Sequence, residues 1–213
     1  MELESIKEAL KNGQIGKVGE LTRAAMDEGK DVKNVLDTLI GGMDEIGAKF
    51  KKNEIFIPEV LISAKAMHAG LKVLEPYLSE SGIKPVGVIG IGTVKGDLHD
   101  IGKNLVAMMF RGAGFEVLDL GIDVPVEKFV DTARNKNVNI IAMSSLLTTS
   151  MGAMKAVIEE LKSNGLLDAI KVMVGGAPIT DNFAKSIGAD GYAKDASSAV
   201  DKARELISLL NKD

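Results

Sequence analysis

Residues 86–104 read VGVIGIGTVKGDLHDIGKN. An aliphatic run broken by glycines gives way to a loop in which Gly96, Asp97, His99 and Asp100 crowd together, and an amphipathic stretch follows from Gly102. An apolar run, a polar loop and a helix in that order form the repeating unit of a parallel sheet covered by helices. The run predicts a strand over 86–91 and a helix near 102–113.

The same unit recurs down the chain. Further strands are predicted over 116–120, 139–144, 171–174 and 191–193, with helices near 125–136, 150–164, 180–187 and 197–210. Five such units make an α/β, doubly wound, five-stranded parallel sheet of Rossmann-like type, whose ligand belongs at the C-terminal ends of the strands.

Upstream the texture is helical. Leu3, Ile6 and Leu10 mark a first helix ending at Asn12 and Gly13, and Ile15, Val18, Leu21 and Ala25 mark a second, stopped by Gly29. Asp31 caps a third, with Val35, Leu36, Leu39, Ile40, Met43, Ile46 and Phe50 on one face. Pro58 opens a fourth, with Ile57, Leu61, Ala64, His68 and Leu71 on its apolar face, expected to end before Pro76. His68 therefore reads as a packing residue. The expectation is an N-terminal four-helix bundle, residues 1–82, followed by the sheet domain, residues 83–213.

Composition narrows the function. A net charge of -4 gives no basic patch for nucleic acid. The chain has no cysteine, so disulfides and thiolate metal sites are excluded, and two histidines cannot build an ordinary structural zinc site. No apolar run approaches the roughly 18 residues of a membrane span, and the N-terminus MELESIKEAL does not read as a targeting segment. A cytoplasmic protein is expected.

The glycine loop is not a nucleotide motif. Gly90, Gly92 and Gly96 give GxGxxxG rather than the dinucleotide GxGxxG. A phosphate loop would need a hydroxyl where Asn104 stands, and its aspartates would repel phosphate. Magnesium on Asp97 and Asp100 is chemically sound but leaves His99 without a role. Asp100 reads as the cap of the helix that follows. The reading that uses each residue is an imidazole ligand to a soft or borderline metal, its other nitrogen held by a carboxylate; loss of such a partner costs roughly 10 to 100-fold in affinity or activity. One protein ligand does not retain a bare ion, so the metal must arrive chelated, as in a macrocycle.

Asp97, His99 and Gly102 form DxHxxG, and downstream stand SSLLTTS at 144–150 and VGGAP at 174–178. This set, behind a helical bundle, closely resembles the cobalamin-binding module of methionine synthase and the corrinoid proteins of methanol, methylamine and methoxy-compound methyltransferases. The resemblance covers nearly the whole chain. It implies that His99 is the lower axial cobalt ligand, that Asp97 holds its other ring nitrogen and that Ser150 ends the hydrogen-bond relay. Ser144 and Leu146 match the family's SxL beside the nucleotide tail, and Gly175 and Gly176 its paired glycines; Gly102 lets the helix start beside that tail. Ile101 and Thr148 fall against the cofactor on the same basis, and Tyr192, Ala193 and Ala196 near the tail's end. Phe50 and Ile57 match the aromatic and leucine that shield the cobalt's upper face, with isoleucine in place of leucine.

The function so implied is that of a methyl carrier in anaerobic one-carbon metabolism, cycling between methylcobalamin and cob(I)alamin. Its partners would be a substrate:corrinoid methyltransferase, a second methyltransferase acting on tetrahydrofolate or a thiol, and a reductive activating protein. SESGIKP, residues 79–85, is the expected hinge that lets the helical cap move. Two other cobalamin functions fit less well. A cobalamin sensor would carry a DNA-binding module ahead of the bundle, and the small subunit of an adenosylcobalamin mutase would lack the bundle.

Overall fold

The structure is a computed structural model and describes residues 3–211. Its contacts form two compact units, one running to Lys84 and including Arg111–Gly114, the other made of Pro85–Phe110 and the chain from Phe115 onward.

The first unit holds α1 (Glu4–Lys11), α2 (Ile15–Asp27), α3 (Val32–Lys51) and α4 (Ile57–Ser81). The Asp31 side chain accepts from Asn34 N at 2.9 Å, and Gly29 takes φ 71° just past α2, as the cap and stop residues predict. Two expectations for α4 fail. The helix continues through Pro76 and stops at Gly82, which adopts φ 69°. A proline inside a helix forfeits one hydrogen bond, but Lys72, Glu75, Pro76 and Tyr77 are exposed, so water can satisfy the carbonyl it frees.

The apolar face of α4 is also rotated from the predicted one. Val60, Ala64, Met67, Gly70 and Leu74 are buried, whereas His68 is exposed and Ile57 is largely so. Small residues explain the difference: a Cβ on Gly70 would lie 2.9 Å from a Leu39 methyl and 3.2 Å from Val18. The close contact at Gly70 admits no side chain there and turns this line inward, with Val60, Met67 and Leu74 buried along it.

The second unit holds β1 (Val88–Val94), α5 (Ile101–Gly112), β2 (Glu116–Val124), α6 (Val126–Asn135), β3 (Ile140–Ser144), α7 (Met151–Ser163), β4 (Lys171–Gly175), α8 (Asp181–Ile187), β5 (Gly191–Ala193) and α9 (Ala196–Leu210). All strand pairs are parallel and the order is β2-β1-β3-β4-β5. The predicted fold class holds, with a switch in strand direction of travel between β1 and β3, where such sheets place ligands.

Both edges of the predicted β1 and the C-terminal end of β2 move. β1 runs on to Val94 because Gly92, like Gly90, is a sheet residue rather than a loop residue. A Cβ on Gly92 would lie 3.0 Å from Phe129, 3.1 Å from Val124 and 3.2 Å from Leu120, and one on Gly90 would lie 3.1 Å from Thr132. Glycine here lets side chains of α6 and of the neighbouring β2 pack against the β1 backbone. β2 runs past Leu120 to Val124 through two register shifts, with Gly121 at φ 92° and Asp123 at φ 50°.

Register brings the strand ends into one row. Thr93 pairs with Ser144, Ser144 with Gly175 and Gly175 with Ala193. The loops after β1, β3, β4 and β5 therefore leave from one edge. Beneath them Phe129, Ile141, Val157, Leu161 and Val172 form a dry core, each large side chain contributing about 1.5–3 kcal/mol by burial.

Candidate functional site

The β1–α5 loop folds around Asp97. Its side chain is fully buried, while the His99 ring beside it is half exposed, at 51%. His99 Nδ1 lies 2.7 Å from Asp97 Oδ1, and the His99 backbone N–H donates to the same oxygen at 3.0 Å. Asp97 Oδ2 accepts from Leu146 N at 2.7 Å, Leu147 N at 3.1 Å and Ser150 Oγ at 3.1 Å. One carboxylate thus joins the β1 loop to the β3 loop.

Burial opposes ionisation of Asp97, but the backbone N–H groups of His99 and Leu146, the His99 ring and Leu147 N together hold its carboxyl well below the usual carboxylate range. An anion only accepts, so Nδ1 carries a ring proton, and in the neutral imidazole that places the lone pair on Nε2. Nε2 has no protein partner among the described residues. Elsewhere in the loop, buried Thr93 donates its hydroxyl to His99 O at 2.8 Å. Asp123, from β2, accepts from Gly96 N at 2.7 Å through Oδ1, and its own N–H donates to Asp97 O at 3.0 Å.

Asp100 takes the predicted place just ahead of α5. Its carbonyl accepts the first α5 bond from Asn104 N at 2.7 Å, while its carboxylate takes the Asn104 side-chain amide at 3.0 Å. Ser150 stands at the N-cap of α7, yet its hydroxyl makes no capping bond; it reaches Asp97 and Leu147 O. The hydrogen bonds continue past Ser150, whose Oγ lies 2.8 Å from Ser145 Oγ. Buried Lys103 bonds both Asp119 carboxylate oxygens, at 2.6 and 2.7 Å, tying the first turn of α5 to β2.

The other predicted positions divide by setting. Ser144 ends β3 half-buried, and Leu146 and Thr148 are exposed in the following loop. Gly102 is open, with nothing within 4 Å of a Cβ built on it, and Ile101 beside it is exposed. Gly175 and Gly176 are constrained by the protein itself: a Cβ would meet Ala193 O at 3.0 Å and Ser145 O at 1.8 Å respectively. Tyr192 packs against the core, and Ala196 keeps 4% of its surface exposed and presents little to a ligand. In the helical unit Phe50 is half-buried and Ile57 exposed. Sequence reasoning missed Ser145, Thr93 and Asp123; the paired serines of SSLLTTS were the one visible signal.

A lone imidazole donor on an acid-held ring suits a metal that arrives with its other ligands, and among the described residues no group of three or more histidine, aspartate or glutamate side chains converges on a metal position. The loops around it expose apolar side chains, Ile101 at 77% and Leu98 at 68%, with Leu146 and Leu147 also exposed. Such a surface fits a large, partly apolar macrocycle better than water.

This arrangement suits a cofactor-binding α/β domain in which one histidine, His99, offers a ring nitrogen to a ligand. Comparison with known proteins agrees. A family model described as a B12 binding domain matches residues 87–201, and a second with the same description matches residues 2–75. Dimethylamine corrinoid protein 2 of Methanosarcina mazei is 47% identical over 189 residues, covering 86% of this chain and 88% of the relative. Corrinoid protein DSY3155 of Desulfitobacterium hafniense is 43% identical over 209 residues, covering 96% and 97%. The solved methanol:cobalamin methyltransferase complex MtaBC of Methanosarcina barkeri contains a chain 30% identical, with a TM-score of 0.87, covering 99% of this chain and 83% of that one. The chain belongs to the B12-binding corrinoid proteins. The resemblance carried by DxHxxG, SSLLTTS and VGGAP, to the corrinoid proteins of methyltransferase systems, holds, and the cofactor is a corrinoid. No helix among the described residues is long and apolar enough to cross a membrane.

Proposed function

We propose that this chain is a methyl carrier, serving one methyltransferase that loads a methyl group from a substrate and a second that unloads it onto tetrahydrofolate or a thiol. The bound corrinoid supplies the nucleophilic cobalt for that exchange. His99 Nε2 would hold the corrinoid's cobalt, and Asp97, bonded to Nδ1, would fix the ring's tautomer and orientation. Gly102 leaves open space for the nucleotide tail, with Ser144, Leu146 and Thr148 along it; Ile101, Phe50, Ile57, Gly175, Gly176 and Tyr192 complete the cofactor contacts we assign.

One observation carries this reading: a fully buried, hydrogen-bonded Asp97 anion holds Nδ1 of His99 and leaves Nε2 as a donor. A methylated amine is the donor class we favour, supported by the relatives named dimethylamine corrinoid proteins. The reading also includes a cytoplasmic location, a reductive activating protein and a hinge at Gly82–Pro85.

Reconstitution with hydroxocobalamin tests it. His99→Gly should change the visible spectrum and weaken binding; an unchanged spectrum with wild-type affinity would overturn the ligand assignment. Anaerobic methyl transfer with a candidate amine methyltransferase should load the reconstituted protein from methylamines and not from methanol or aryl methyl ethers. Loading from methanol alone would overturn the donor class.

A further inference from the structure

Ser145 is fully buried and belongs to no motif position that the cofactor reading uses. Its hydroxyl has three neighbours: Ser150 Oγ at 2.8 Å, Leu147 O at 3.1 Å and Asp97 Oδ2 at 3.4 Å. Ser150 Oγ has the same choices, with Leu147 O at 3.0 Å and Asp97 Oδ2 at 3.1 Å. Two hydroxyls have two protons to place. The shortest contact is the one between them, and only one serine can donate along it.

If Ser150 donated to Ser145, the sole hydroxyl left for Asp97 would be Ser145 at 3.4 Å, near the limit of a useful bond. If Ser145 donates to Ser150, the Ser150 proton is free to reach the carboxylate at 3.1 Å. Bonds to an ionised acceptor are roughly twice as strong as neutral ones, and each link in such a chain polarises the next. The second arrangement wins. We propose that Ser145 is a positioning residue for the axial histidine: it turns the Ser150 hydroxyl toward Asp97, so that the chain Ser145–Ser150–Asp97 holds the Nδ1–H tautomer of His99.

The inference rests on His99 as the cobalt ligand, but its first readout needs no cobalt. Ser145→Ala, Ser150→Ala and the double variant are compared with wild type, with thermal melts to confirm folding. In the apoprotein, 15N NMR of the His99 ring, at a pH above the ordinary imidazole range, reports the Nδ1–H fraction. Both single variants should lower it, Ser145→Ala by less, and the double variant should match Ser150→Ala because Ser145 acts through Ser150. Hydroxocobalamin affinity should follow the same order, Ser145→Ala losing about 3 to 10-fold, less than the roughly 10 to 100-fold of a direct partner. Ser145→Thr, which keeps the hydroxyl, should recover the wild-type tautomer; if the added methyl unfolds the protein, the double-variant comparison alone decides.

Two results would overturn the proposal: an unaltered ring tautomer in Ser145→Ala, or effects of the two single variants that simply add. Failure of the ligand assignment looks different. His99→Gly would then keep the wild-type spectrum while the apoprotein tautomer still responded to Ser145.

Discussion

Gly176 and Ser145 stand backbone against backbone: a β-carbon on Gly176 would lie 1.8 Å from the Ser145 carbonyl oxygen. Gly176 also takes φ 128°, a conformation that side chains rarely adopt. Gly176→Ala should therefore destabilise the apoprotein by roughly 2–5 kcal/mol in denaturant melts, before any cofactor is added. Gly102→Ala is the contrast. With open space around it in a helix, it should stabilise the apoprotein by about 0.5–1 kcal/mol while weakening corrinoid binding.

Acid stability should carry the mark of Asp97. A folded-state pKa held below the unfolded value of about 3.9 makes the ionised carboxylate stabilising above that value. That contribution is lost as pH falls from about 4 toward the folded value. Asp97→Asn should flatten the acid limb of a stability-against-pH curve over that window. Glu45, in the helical unit, is pushed down to about 2 by hydrogen bonds from Lys11 and Lys7. Glu45→Gln should flatten the limb between about 4.3 and 2, but weakly, since water screens an exposed pair.

Asp123 clamps the β1–α5 loop from the neighbouring strand through two hydrogen bonds. Asp123→Ala removes the acceptor of Gly96 N and should cost about 1–2 kcal/mol. Hydrogen exchange at the Gly96 amide should speed up selectively. Asp123→Asn keeps an oxygen acceptor and tolerates φ 50°, so exchange there should stay near wild type.

Pro76 lies inside α4 on an exposed turn. Pro76→Ala should raise helix stability by about 1–3 kcal/mol, read as a higher midpoint in thermal unfolding.

Much of this molecule is legible in its sequence because local chemistry and period agree. Asp31 and Gly29 bound helices where their cap propensities say, and four of the five strands start within one residue of the expected place. DxHxxG can be read because Asp97 and His99 are two residues apart, so their contact is local. What eluded reading depends on distant partners. Which of Ser144 and Ser145 turns toward Asp97 is decided by the register of β1 against β3, set by Thr93 opposite Ser144. Gly176 is required by a backbone 31 residues earlier, and the rotated face of α4 by Leu39 and Val18 on other helices.

Asp97 reaches Leu146 N and Leu147 N, 49 and 50 residues along the chain. Folding of the sheet therefore freezes the imidazole's attitude as well as its address. The conformational entropy of aiming the ring is settled with the fold, so that under the proposed ligation an incoming corrinoid would meet a preorganised donor rather than having to order one.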